Sequence, residues 1–127
     1  MLAYLQYLNE AKLIRLLYPD DLRVKKMQKP DKMLMENSNL LKILSLKELE
    51  IGTMRETFFC NQMSYNNQVE YSKHGDFLIN HEIAFEIGGK TKDGKQIAKI
   101  ENSYIAADNI DYPMGNKIPL WLFGLMH

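Results

Sequence analysis

The sequence predicts a mixed α/β fold, and three observations carry that expectation. Apolar residues recur at three- and four-residue spacing near the N-terminus and again over 54–63, as in helices that bury one face. From Val69 the period shortens, and strand-like runs follow one another between glycine, asparagine and histidine. A chain of 127 residues with 46% hydrophobic content is also large enough for one real core.

Taken in order, Leu2, Leu5 and Leu8 with the rings of Tyr4 and Tyr7 line one side of an amphipathic helix over 2–11, and Gln6, Asn9 and Glu10 line the other. No capping residue precedes it, so the chain is expected to start part-way through a unit and to leave this apolar stripe partly exposed. Segments 12–18 and 32–36 are strand candidates beside Pro19-Asp20-Asp21 and Lys29-Pro30-Asp31, which predicts a hairpin with a long, polar, basic tip. Helix, strand, loop and strand form the closing half of a winged-helix unit, whose preceding helix enters the DNA major groove. Residues 1–37 are therefore expected to be a partial winged-helix segment and 38–127 an α/β domain.

Asn37-Ser38-Asn39 offers an N-cap for a helix over 40–44, and Gly52-Thr53 offers one for a helix over 54–63. Segments 69–72, 75–79 and 82–87 then predict three strands in series, a meander. Beyond them, 96–100 is expected as a short helix, 103–107 as a further strand, and 119–126 as a terminal helix with Pro119 in its first turn.

Charge and cysteine usage exclude several classes. Sixteen Lys and Arg balance sixteen Asp and Glu, giving a formal net charge of zero, so the chain as a whole exerts no pull on nucleic acid. Any polyanion must meet a local patch. The one cysteine, Cys60, lies in the apolar run Phe58-Phe59-Cys60 and has no partner within the chain, which suits a reducing compartment and predicts a cytoplasmic protein. The N-terminus lacks the basic start and small-residue cleavage site of a signal peptide. No apolar run approaches the roughly 20 residues that cross a bilayer, so no membrane partner is expected.

Several motifs invite chemistry. Gly88-Gly89-Lys90-Thr91 imitates the end of a phosphate loop, but the glycine required five residues before the second one is replaced by Ala84, and Asp93-Gly94 breaks the helix that should follow. ATP binding is not predicted. The carboxylates are more informative: Glu56 on a helix, Asp76 at one strand, Glu86 in the next, then Gly88 and Lys90. PD-(D/E)xK nucleases use this order, because two strand carboxylates share a divalent metal while a lysine two residues after the second steadies the attacking water. Residues two apart on a strand share a face, so Glu86 and position 88 point together, and position 88 is glycine. Lys90 keeps that parity and is the candidate substitute. The plain alternative is that Asp76 and Glu86 are solvated strand residues and that Lys90, Lys92 and Lys95 form an ordinary charged turn.

His74, His81 and His127 share no metal-ligand spacing, and Ser64 and Ser72 lack a glycine-flanked elbow. Met27, Met33, Met35, Met54 and Met63 read as adaptable packing. Trp121, with Leu120, Leu122 and Phe123, is expected to pack in the terminal helix.

Several strings together resemble a known family: Glu10-Ala11-Lys12-Leu13-Ile14; Lys29-Pro30-Asp31-Lys32 with Asn37 and Leu40; Gly52 through Phe59; Gly75-Asp76-Phe77; Phe85 through Lys90; and Ile118 through Gly124. The resemblance is to the C-terminal region of bacterial AAA-type P-loop ATPases, where a winged helix and a domain of unknown function follow the ATPase domain. It covers nearly the whole chain. It implies a restriction-endonuclease-like core, with a central mixed sheet flanked by helices, and an ATPase domain encoded upstream. Glu56 matches the helix acid of that pattern, Asp76 the first strand acid and Glu86 the second, while Gly88 stands where the pattern has lysine.

Three functions follow as expectations. The first is a non-catalytic accessory or docking domain of such an ATPase, needing no cofactor, with the ATPase domain or nucleic acid as partner. The second is a metal-dependent nuclease in which Asp76 and Glu86 bind magnesium, Lys90 replaces the usual lysine and Glu56 assists. The third is a homo-oligomerisation module built on the apolar C-terminal helix and exposed strand edges.

Overall fold

The computed structural model describes residues 2–19, 29–45, 48 and 50–125. Met27, Met126, His127 and the hairpin tip over 20–28 lie outside the described residues. The fold is mixed α+β: a five-stranded mixed sheet flanked by helices, with a small two-stranded sheet beside it. Among the described residues no helix is long and apolar enough to cross a membrane.

Helix α1 (Leu2–Glu10) leads into β1 (Ile14–Leu17), which pairs antiparallel with β2 (Lys32–Met35). The apolar stripe of α1 stays open: none of its residues is buried, and Tyr4 and Tyr7 are 74% and 66% exposed. The chain continues from β1 toward the larger sheet, where Tyr71 N donates to Tyr18 O at 3.0 Å. Leu17 and Leu34 of the hairpin enter the same core as Phe59 and Phe77. The hairpin thus packs into the larger unit across the boundary expected at residue 37.

Asn37 caps α2 (Ser38–Leu44) as its sequence predicts, with Oδ1 accepting from Leu40 N at 2.8 Å. Helix α3 (Ile51–Met63) starts earlier than Gly52-Thr53 would set it. Extended Glu50 is its N-cap and makes no side-chain cap bond, while Met54 N already donates to Glu50 O. A glycine and a threonine are therefore carried inside the first turn.

Strands β3 (Val69–Tyr71), β4 (Phe77–Ile79) and β5 (Ile83–Gly88) form the expected antiparallel meander. β6 (Ser103–Ala107) joins β5 in parallel, and β7 (Lys117–Pro119) joins β6 in parallel at the sheet edge. The segment between β5 and β6 holds one 3-10 turn, Lys95–Ile97, in place of the helix expected over 96–100.

The C-terminal expectation is corrected. Pro119 does not open an α-helix; it closes β7, and a 3-10 helix, Leu120–Leu125, follows. Pairing of Ile118 with Ala106 and Pro119 with Ala107 draws this segment into the sheet. A proline is tolerated there because an edge strand can do without one ladder donor. Leu120 and Phe123 are buried as expected, but Trp121 is 53% exposed.

The register divides the sheet into two faces. Phe77, Phe85 and Ile87 face α3 and, with Phe59, Cys60, Met63, Leu120 and Phe123, make the main core. Phe59 sits at its centre, fully buried, with ring centroids of Phe77, Phe85 and Phe123 at 5.5, 4.9 and 5.0 Å. On the other face Ile105 and Ala107 pack with Ile97 and Ile110 in a smaller cluster. Glu86, paired in register with Ile105, belongs to this second face.

Candidate functional site

The site is built where β4 meets β5. Gly75 sets it up: its φ of 101° lies in the left-handed region, and a Cβ there would stand 3.0 Å from Phe85 O and 2.9 Å from Ile97 Cγ2. Only glycine lets the chain pass that close. Asp76 follows directly, its amide donating to Phe85 O at 2.9 Å and its Oδ2 accepting from Ile87 N at 2.7 Å. One acid oxygen thus continues the strand pairing beyond the end of β4.

Glu86 stands on the neighbouring strand. It is 2% exposed, an unusual place for a carboxylate, since burying an ionised acid is costly unless it is paired. The partner is Lys92, whose Nζ lies 3.0 Å from Glu86 Oε1. Glu86 Oε2 is buried and has no hydrogen-bond partner among the described residues. Lys92 is held above the ordinary lysine pKa, first by its hydrogen bond to Glu86 and further by the charges of Glu86, Asp76 and Asp93. Its ammonium therefore senses both acids.

A cavity of about 400 Å³ opens over this group, bounded by Glu86, Gly89, Thr91, Lys92, Lys95 and Gln96. At its rim the exposed Asp93 is held below the usual carboxylate range by hydrogen bonds from Lys95.

The structure brings together only part of the expected set. Asp76 and Glu86 are neighbours, as their spacing implies. Glu56 is elsewhere, on α3, with its Oε2 2.7 Å from Lys32 Nζ in the hairpin; Lys32 in turn lies 5.0 Å from the centre of the Phe77 ring. Because α3 covers the first face and Glu86 lines the second, Glu56 and Glu86 belong to opposite sides of the sheet. Lys90 does not swing back to the acids: it is exposed in the turn, and its carbonyl accepts from Lys117 Nζ at 3.0 Å. The lysine that reaches Glu86 is Lys92, which sequence reasoning assigned to an ordinary charged turn. Strand parity could not find it, because parity stops applying once the chain leaves β5 at Gly88-Gly89.

Other ionisable groups have structural partners. His81, in the tight β4–β5 turn, places Nδ1 2.8 Å from Oε1 of the buried Glu70. Arg55 Nε donates to Asp108 Oδ2 at 3.0 Å. Burial pushes the Cys60 thiol up to about 11, so it stays protonated and unreactive at neutral pH. Among the described residues no group of three or more His, Cys, Asp and Glu side chains is arranged to hold a metal ion.

No protein-family model, curated protein or solved structure matches the chain.

Proposed function

We propose that this chain is a non-catalytic accessory domain of a bacterial AAA-type ATPase, carrying a degenerate PD-(D/E)xK-like site and serving as a docking unit. The observation that carries this reading is that both acids are already engaged by groups of the chain itself. Lys92 neutralises Glu86 at 3.0 Å, and one oxygen of Asp76 is committed to Ile87 N at 2.7 Å. Charges satisfied in this way stabilise the fold without a substrate. Docking is supported by an apolar groove of about 380 Å³ between α3 and the terminal 3-10 helix, walled by Met54, Phe58, Leu120 and the exposed Trp121. The ATPase as partner rests on the resemblance of the sequence strings alone.

A second reading, a metal-dependent nuclease, is favoured by one observation. Glu86 Oε2 is a buried acceptor with no partner among the described residues, and such an oxygen fits a hard divalent cation. In that case Asp76 and Glu86 would hold magnesium, which when bound polarises a phosphoryl oxygen. Lys92, beside Glu86, would orient the attacking water, and Glu56, across the sheet, would take no direct part.

Magnesium titration with plasmid and single-stranded DNA, comparing the chain with its Asp76→Ala variant, separates the two. The accessory reading expects no magnesium-dependent cleavage by either protein. Cleavage by the parent that disappears in the variant would establish the nuclease. Binding to DNA that weakens with salt, without cleavage, would make nucleic acid the docking partner. A mass in solution that rises with protein concentration would point instead to oligomerisation.

A further inference from the structure

The space beside Gly88 is filled, and the side chain that fills it belongs to the site. A Cβ built on Gly88 would stand 2.8 Å from Cδ and from Cγ of Lys92 and 2.9 Å from its Cβ. Those separations are far inside van der Waals contact, so the aliphatic stem of Lys92 runs through the volume that any side chain at 88 would need. From there its ammonium meets Glu86 Oε1 at 3.0 Å. Glu86 and position 88 share a strand face, so a lysine rooted at 88 and one rooted at 92 would bring their charge to the same carboxylate. There is room for only one of them.

We infer that Lys92 is the positional replacement for the lysine absent at 88: it enters from the following turn because Gly88 leaves the path open, and it holds Glu86 beside Asp76. Lys92 is a positioning residue in this arrangement, acting through the two acids. Its role has functional meaning only if Asp76 and Glu86 descend from a PD-(D/E)xK-type site, as proposed above. Its passage over Gly88 does not depend on that ancestry. Lys90 is excluded from the role by its exposure and by the direction of the turn, which brings its carbonyl to Lys117.

A relocation experiment on the full chain tests this. Melting midpoints are compared for the parent, K92A, G88K, the swap G88K/K92A, and G89K/K92A. The parent is also examined by lysine-selective NMR for an ammonium group in slow exchange with water. K92A is expected to lose that protected signal and several degrees of melting midpoint, because Glu86 is left buried without its cation. G88K is expected to lose stability by collision with the Lys92 stem. In the swap, most of the summed loss returns, together with a protected ammonium signal. G89K/K92A gains nothing, because a Cβ at 89 would stand 3.1 Å from Nη1 of the Arg55 guanidinium, so a side chain there starts out toward Arg55.

A swap that loses the sum of the two single effects would overturn the inference, as would equal rescue from position 89. The absence of any protected lysine ammonium in the parent would do the same, and that measurement stands even if the variants fail to fold. DNA cleavage bears on the proposed function alone and the swap on Lys92 alone, so failure of one is distinguishable from failure of the other.

Discussion

The two faces of the five-stranded sheet solve burial in opposite ways. The face toward α3 is a dry aromatic cluster in which Phe59 touches three other rings, and its few polar neighbours, such as the Lys32–Glu56 pair, sit at its margin. The opposite face carries a small aliphatic cluster and two carboxylates, Glu70 and Glu86, each 2% exposed and each met by a basic side chain from a turn. The first arrangement gains stability from area and packing density, without direction. The second depends on direction, since a buried carboxylate is tolerable only where a partner group is aimed at it. The candidate acid site lies on the second face.

The comparison can be broken or sharpened by experiment, starting from the largest expected effect. Phe59→Ala should cost about 3–5 kcal/mol in chemical denaturation, because it opens a cavity at the centre of the aromatic face. A loss below about 1 kcal/mol would show that the first face is not the main source of stability.

Alkaline titration probes the buried thiol on that same face. Cys60 has a folded pKa raised from 9.0 to about 11, so its protonated form favours folding. That contribution is fully present below pH 9 and is lost as pH rises through about 11, by roughly 2–3 kcal/mol. Cys60→Ala should flatten the stability profile in this window, and an unchanged slope would contradict the burial argument. Lys92, raised in the same direction, adds a loss that begins only above its ordinary value of 10.5 and that Cys60→Ala leaves in place.

On the second face, Lys92→Met should cost about 1–2 kcal/mol, a figure reduced because this side chain is partly exposed. Adding Glu86→Leu should recover part of that loss, since an apolar pair removes the uncompensated charge. If the double variant is less stable than Lys92→Met alone, Glu86 contributes more than a satisfied ion pair. The smallest effect expected is that of Asn37→Ala, about 1 kcal/mol, from the lost cap bond to Leu40 N. It touches neither face and is the reference for local, additive destabilisation.

Much of this was legible from residues alone. Helix α1, the hairpin strands, the Asn37 cap and the meander each follow from a local period or a capping side chain. The C-terminal segment was misread because Pro119 is a good first-turn residue only when no neighbouring strand competes for it, and β6 does compete. Gly52-Thr53 was misread because a strong local cap signal yielded to a helix that begins one turn earlier. In the site, Asp76 and Glu86 were found by their spacing on adjacent strands, whereas Glu56 was grouped with them by chain order alone and lies across the sheet.

By itself the sequence determined the mixed α/β class, the order of most elements, the candidate pair Asp76 and Glu86, and the lack of a side chain at Gly88, because the elements depend on periods of two to four residues that the backbone enforces locally; the register that sets the two acids side by side came from the structure. Only the tertiary structure decided that Lys92 and not Lys90 meets Glu86, that Glu56 pairs with Lys32, and that Pro119 ends a strand. Those outcomes depend on which distant segments come to lie side by side, and local period carries no information about the path of a turn after the strand has ended.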